Sequence, residues 1–252
     1  RLQKFLIILV HGRNTYVQFN KPLSLKQVIE EYRHSEERAN RKLARILRTH
    51  FRKIRQAVLG PDLSHRRTLV EGLLRTQAVK EAIRQTAADE DIAPAKVRAR
   101  ALKYADEIAA NMSVVTIRVF EVLLAWLWNR IYNGILVNNI RVVKESAQNN
   151  AVVYVPCHRS HIDYLLLSYV LYKNGLMPPH IAAGINLNMP VVGPILRRGG
   201  AFFMRRSFRD NPLYSTVFNE YMHVMLTRGY SIEYFVEGGR SRTGRMLQPR
   251  PG

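Results

Sequence analysis

The sequence predicts an α/β chain: a largely parallel sheet flanked by helices, preceded by an all-helical region. Two observations predict it. Ahead of Gly134 the apolar residues recur at helical spacing, and from about Ile140 short β-type runs (IRVV, VVYV, HIAAG, AFFMRR, YSIEYFV) alternate with helical ones. Strand–helix alternation supplies the crossover connections that parallel strands require. The expected division is a helical N-terminal region at 1–130 and an α/β domain at 131–252.

Taken in order, Ser24 with Gln27 forms a capping-box signature that opens a helix at LKQVIEEY. From Arg38 the pattern sharpens. Arg38, Arg41, Arg45, Arg48, Arg52 and Arg55 recur at three and four, as do Leu43, Leu47, Phe51, Ile54 and Val58. At ~100° per residue these are two stripes of one helix, with centres roughly 120° apart. Gly60-Pro61 ends it. Such a helix fits an anionic membrane surface, or a soluble bundle with a solvated arginine face. A second helical block starts after Asp91, with Pro94 in its first turn. Val119 to Ile131, VFEVLLAWLWNRI, is too short to span a bilayer and carries Glu121 and Arg130, so it packs in a core or lies in an interface.

With 252 residues and 47% hydrophobic content the chain is long enough for a real core, whereas a net charge of +20 is far from typical. The charge favours anionic partners: phosphorylated substrates, anionic lipid or nucleic acid. Nucleic acid is not expected, because no helix-turn-helix, finger or RNA-recognition pattern accompanies the arginines. One cysteine excludes an internal disulfide framework and suits a reducing compartment. FLIILV (Phe5 to Val10) is too short for a signal-peptide core. The start at Arg1 and the loop-like RPG at the end suggest a fragment.

Three clusters carry chemistry. The first is PCHRSHIDY, Pro156 to Tyr164. His158 and His161 with Asp163 lack the third ligand and outer support of a metal site, and no metal is expected. Cys157 and His158 are adjacent and point opposite ways in an extended segment, which makes a poor nucleophile–base pair. On a regular helix His158 and Asp163 would be about 140° apart. They meet only if His158 lies in the loop before a helix and Asp163 in its first turn. Pro156 disfavours a helix upstream, and Ser160 with Asp163 reads as a helix start. The carboxylate then holds one imidazole nitrogen and leaves the other as a base; the other reading is that Asp163 only caps the helix.

The second cluster is GGAFFMRR, where a strand-like run ends in Arg205 and Arg206; beside the third cluster it would deliver cations to the same pocket. The third is FVEGGRSRTG. Gly238 and Gly239 permit close backbone approach to an anion, Ser241 adds a hydroxyl, and Arg240 a guanidinium fork. It is not a Walker A loop, since Arg245-Met246 stands where Lys-Ser/Thr is needed. Glu237 is expected to orient an arginine or a substrate hydroxyl.

HRSHID, GGAFFMRR and FVEGGRSRTG, in that order and spacing, resemble three blocks of the glycerolipid acyltransferase family, from about Trp126 onward. The fourth block, an apolar strand bearing a proline, is expected downstream of Gly252, leaving this core incomplete at its C-terminal side. The resemblance implies acyl transfer from acyl-CoA or acyl-carrier protein to the sn-1 hydroxyl of glycerol 3-phosphate, with no cofactor. His158 is then the base and Asp163 its partner. Arg206, aided by Arg205, binds the phosphate, and Glu237, Gly238, Arg240 and Ser241 complete the acceptor site. It further implies a peripheral enzyme on the cytoplasmic face of a bacterial inner membrane. A lysophosphatidate or lysophospholipid acyltransferase shares the first block, and a non-catalytic basic membrane-surface protein shares the charge.

Overall fold

The structure, a computed structural model, describes residues 24–32, 35–59, 66–147, 150–160, 162–208 and 210–249. FLIILV, Gly60-Pro61 and His161 lie outside them, as do the side chains of Arg52, Ile54, Arg55 and Val58. The chain forms two compact units, Arg1–Arg52 and Lys53–Gly252.

In the first unit α1 spans Lys26–Glu31, and α2, Glu36–Leu59, begins there. Glu36 and Glu37 occupy the first turn of α2, where a carboxylate complements the helix dipole, and Arg41 pairs with Glu37 at 3.0 Å. The apolar stripe expected on this helix is present but open to solvent at Leu47 and Phe51.

The second unit is three-layered. Its helices are α3 (Arg66–Leu73), α4 (Gln77–Asp89), α5 (Pro94–Ile108), α6 (Val114–Arg130), α7 (Ile140–Ala147), α8 (Asp163–Lys173), α9 (Val192–Arg198) and α10 (Pro212–Thr227). Its strands are β1 (Val153–Tyr154), β2 (His180–Gly184), β3 (Ala201–Met204) and β4 (Ile232–Glu233). The sheet order is β1-β4-β2-β3 and every pair is parallel. AFFM therefore pairs with HIAAG, and β2 separates it from the strand before FVEGG.

One face of the sheet, through Ala182, Phe202 and Ile232, packs against α3, α4, α5 and α10 in the main core. Each helix buries a stripe at i, i+4 spacing: Val79, Ile83 and Ala87 on α4; Val97, Ala101 and Ala105 on α5; Leu213, Val217, Tyr221 and Met225 on α10. The alanines of α5 let it approach closely. Side-chain caps start α4 and α10: Thr76 accepts from Val79 N–H and Asn211 from Tyr214 N–H. At the C-terminus of α5, Arg197 donates to the carbonyls of Glu107 and Ala109 at 2.6 Å each, and Arg66 donates to that of Asp106. Helices from before residue 130 thus share a core with strands from after it.

The other face, through Ala183, Ala201 and Phe203, meets Ile185, Leu187 and Leu196. Over it lie α6, α8 and α9. Lys173 of α8 pairs with Glu121 of α6 at 2.5 Å. IRVV, expected as a strand, opens helix α7 instead. The segment is continued by Lys144 and Glu145, which favour helix, and Arg141 pairs with Glu145 at i+4. Among the described residues no helix is long and apolar enough to cross a membrane.

Candidate active site

Because all four strands run the same way, the segments following them gather at one edge of the sheet, where open α/β folds place their sites. The three polar clusters follow β1, β3 and β4.

His158 lies in the loop after β1 and Asp163 is the first residue of α8. The bridge from β1 to α8 is folded by Asp163 itself. Its Oδ2 accepts from the backbone N–H of Arg159 at 2.6 Å and of Ser160 at 2.7 Å. These bonds close the turn that leads into α8, at the Ser160-x-x-Asp163 spacing. The same Oδ2 stands 3.4 Å from His158 Nδ1. The loop-and-first-turn arrangement required by the helical angle is the one adopted. Phe235 lies against the imidazole, ring centroids 4.2 Å apart.

The FVEGGRSRTG segment is laced to this loop. Glu237, 1% exposed, accepts from His158 N–H at 2.7 Å through Oε1 and from Leu247 N–H at 2.9 Å through Oε2. These two backbone donors hold its carboxyl below the usual range. Glu237 therefore orients the His158 loop through the backbone, rather than an arginine. Ser241 N–H donates to the His158 carbonyl at 2.7 Å. The Ser241 hydroxyl is buried and has no hydrogen-bond partner among the described residues. Gly238 has φ 61°, a conformation that glycine adopts at least cost, and with Gly239 and Arg240 it borders the cavity described next.

The cavity, of about 350 Å³, runs from His158 into the layer between the sheet and α6, α8 and α9. Ile117, Phe120, Leu124, Leu165, Leu187 and Leu196 make most of its wall apolar. Sequence reasoning did not place α6 here; its only signal was an apolar helix too short to span a bilayer.

The two arginines after β3 part company. Arg205 Nε and Nη2 donate to the two carboxylate oxygens of Glu107 at 2.7 and 2.8 Å. Its guanidinium also lies over Tyr104 and Tyr214, 4.9 and 4.6 Å from the ring centroids. The hydrogen bond with Glu107 drives its pKa further up. Arg206 is exposed at the carboxyl edge of the sheet. Cys157 is half-buried beside Glu237. Among the described residues no group of three His, Cys, Asp or Glu is placed to hold a metal.

Fold and site place a His–Asp pair at the carboxyl edge of a parallel sheet, opening on an apolar cavity. Residues 137–252 match the family model described as Acyltransferase, and residues 1–60 that described as Glycerol-3-phosphate acyltransferase PlsB N-terminal domain. The chain belongs to this acyltransferase family. Along all 252 residues it is 60% identical to the glycerol-3-phosphate acyltransferases of Pseudomonas fluorescens (strain SBW25) and Pseudomonas aeruginosa (strain UCBPP-PA14). It is 57% identical to that of Pseudomonas putida. It spans 30% of the length of these relatives.

Proposed function

We propose that the protein containing this chain transfers a fatty acyl group from acyl-CoA or acyl-carrier protein to the sn-1 hydroxyl of glycerol 3-phosphate. The observation that carries the reading is the His158 Nδ1–Asp163 Oδ2 pair at the mouth of an apolar cavity. The relatives' names supply the acceptor.

With Nδ1 turned to the carboxylate, Nε2 is the nitrogen that takes the hydroxyl proton. The substrate oxygen attacks the thioester carbonyl carbon, a tetrahedral intermediate forms, and the carbon–sulfur bond breaks. The thiolate then takes the proton from the imidazolium. No metal, organic cofactor or acyl-enzyme enters this sequence. The acyl chain occupies the cavity, with the thioester carbonyl beside His158. Arg206 and Arg240 are the cations for the acceptor phosphate, with the backbone at Gly238 and the Ser241 hydroxyl nearby. Arg205 and Glu237 hold the acceptor site in shape, one through Glu107 and the other through the His158 loop. The excess of positive charge suits an anionic bilayer that receives the product, with the protein peripheral on its cytoplasmic face.

The test is thiol release from palmitoyl-CoA by the full-length protein, with and without glycerol 3-phosphate. Release should depend on glycerol 3-phosphate and fall by about 10²–10⁴-fold in His158→Ala. Release driven only by 1-acylglycerol 3-phosphate would move the acceptor to a lysophosphatidate. Turnover that survives His158→Ala would remove the base.

A further inference from the structure

We propose, on the reading that this site transfers an acyl group, that the ion pair of Glu121 and Lys173 is the far stop of the acyl cavity and limits the length of acyl chain that the protein accepts.

The cavity crosses the sheet from one edge to the other. His158 and Arg240 stand at its mouth, on the carboxyl edge. Pro178 and Gly199, which come just ahead of β2 and β3, line its other end, on the amino edge. Between these ends Tyr164, Leu165, Ser168, Tyr169 and Tyr172 line it at i, i+1, i+4, i+5 and i+8, one face of α8 from its first turn to its last. At ~1.5 Å per residue, Asp163 beside His158 and Lys173 at the end of α8 are about 15 Å apart along the helix. Glu121 meets Lys173 while Trp128 meets Tyr169, so α6 runs antiparallel to α8 and brings Glu121 to the end remote from His158.

Among the described residues that line the cavity, Glu121 is the one carboxylate. Its neighbours at the far end, Ile117, Phe120 and Pro178, are apolar, as a wall that only holds an alkyl chain should be. A carboxylate in such a wall is costly unless it is paired. Lys173 Nζ supplies the partner at 2.5 Å from Glu121 Oε1. The ammonium also lies 5.9 Å from the Tyr169 ring centroid, and Tyr169 in turn stands 6.5 Å from Trp128. The pair is thus held in place across the gap between α6 and α8. Its side chains are 21% and 39% exposed, so water still reaches both charges. An acyl terminus pushed past Glu121 would strip that water and part the ions, and buried methylenes do not offset such a loss. The chain therefore ends short of Glu121. A pair that only clasped two helices would act on every donor alike, whereas a stop acts on long donors.

The test uses the full-length protein and follows glycerol 3-phosphate-dependent thiol release from palmitoyl-CoA and from the longer arachidoyl-CoA. Glu121→Ala should raise the ratio of kcat/KM for arachidoyl-CoA to that for palmitoyl-CoA about tenfold, without changing the KM for glycerol 3-phosphate. Lys173→Ala should move the ratio the same way, and the exchange of both residues, Glu121→Lys with Lys173→Glu, should return it toward the parent's. An unchanged ratio in both single variants overturns the inference, as does an equal loss on both donors. Should Glu121→Ala fail to fold, Lys173→Ala, at the more exposed end of the pair, decides. If His158→Ala is inactive while both single variants keep the parent's ratio, this inference fails and the acyl-transfer reading stands. If the parent itself shows no acceptor-dependent release, that reading fails and this inference falls with it.

Discussion

Glu237 Oε1 accepts from the backbone N–H of His158 at 2.7 Å across 79 residues of sequence. With Oε2 on Leu247 N–H, one buried carboxylate ties the loop after β1 to the segment after β4. Ser241 N–H on the His158 carbonyl is a second tie between the same segments, and Glu237 is the one made by a side chain.

Glu237→Ala should therefore lower kcat by about tenfold or more, since a misplaced base loses its alignment with the acceptor. Its depressed pKa gives the pH direction. The carboxylate contributes stability in full above its ordinary value, and that contribution is lost as pH falls through the lowered one. Acid unfolding followed by circular dichroism should show the parent outlasting Glu237→Gln until the pH falls below the usual glutamate range, with the gap closing beneath it.

Arg205 and Arg206 should separate cleanly. Arg205→Ala leaves Glu107 without its bidentate partner and Tyr104 and Tyr214 without the guanidinium between them, so the melting temperature should fall by several degrees. Arg206→Ala should leave melting unchanged and raise the KM for glycerol 3-phosphate. An unchanged KM removes Arg206 from the acceptor site, and a rise in KM without loss of stability in Arg205→Ala would return Arg205 to it.

Much of this was legible in the sequence because it is local. The helical angle between His158 and Asp163 and the Ser160-x-x-Asp163 spacing require only the geometry of one turn. The parallel sheet follows from strand–helix alternation. What was not legible depends on contacts between distant segments. Nothing near Arg205 in sequence announces Glu107, and nothing near Glu237 announces the N–H of His158. IRVV has the composition of a strand, yet it became a helix because a strand needs a partner that composition does not display. Glu233 had a faint signal, an acid within the apolar run SIEYFV, but which face it took depended on the register of β4.

The cavity predicts chain-length control. Ala183 on β2 lines it, is 8% exposed and packs near Phe203 and Leu196. Ala183→Leu places a larger side chain in the path of the acyl group. The ratio of kcat/KM for palmitoyl-CoA to that for decanoyl-CoA should fall, with the KM for glycerol 3-phosphate unchanged. Equal loss on both donors would mean that the acyl chain does not run past β2.

Glu233 predicts an unusual dependence of stability on pH. Its value in the folded chain, about 8, lies above its ordinary one, so the folded state binds the extra proton. Stability from this group is complete below the ordinary glutamate value and is lost as pH rises toward 8, at up to about 1.4 kcal/mol per pH unit. Glu233→Gln cannot titrate and lacks that slope. Thermal melts at pH 5 and pH 8 should therefore show a gap between Gln variant and parent that widens with pH, the variant being the more stable. A constant gap would mean that Glu233 is already ionised in the folded protein, with a cationic partner supplied by the rest of the full-length chain.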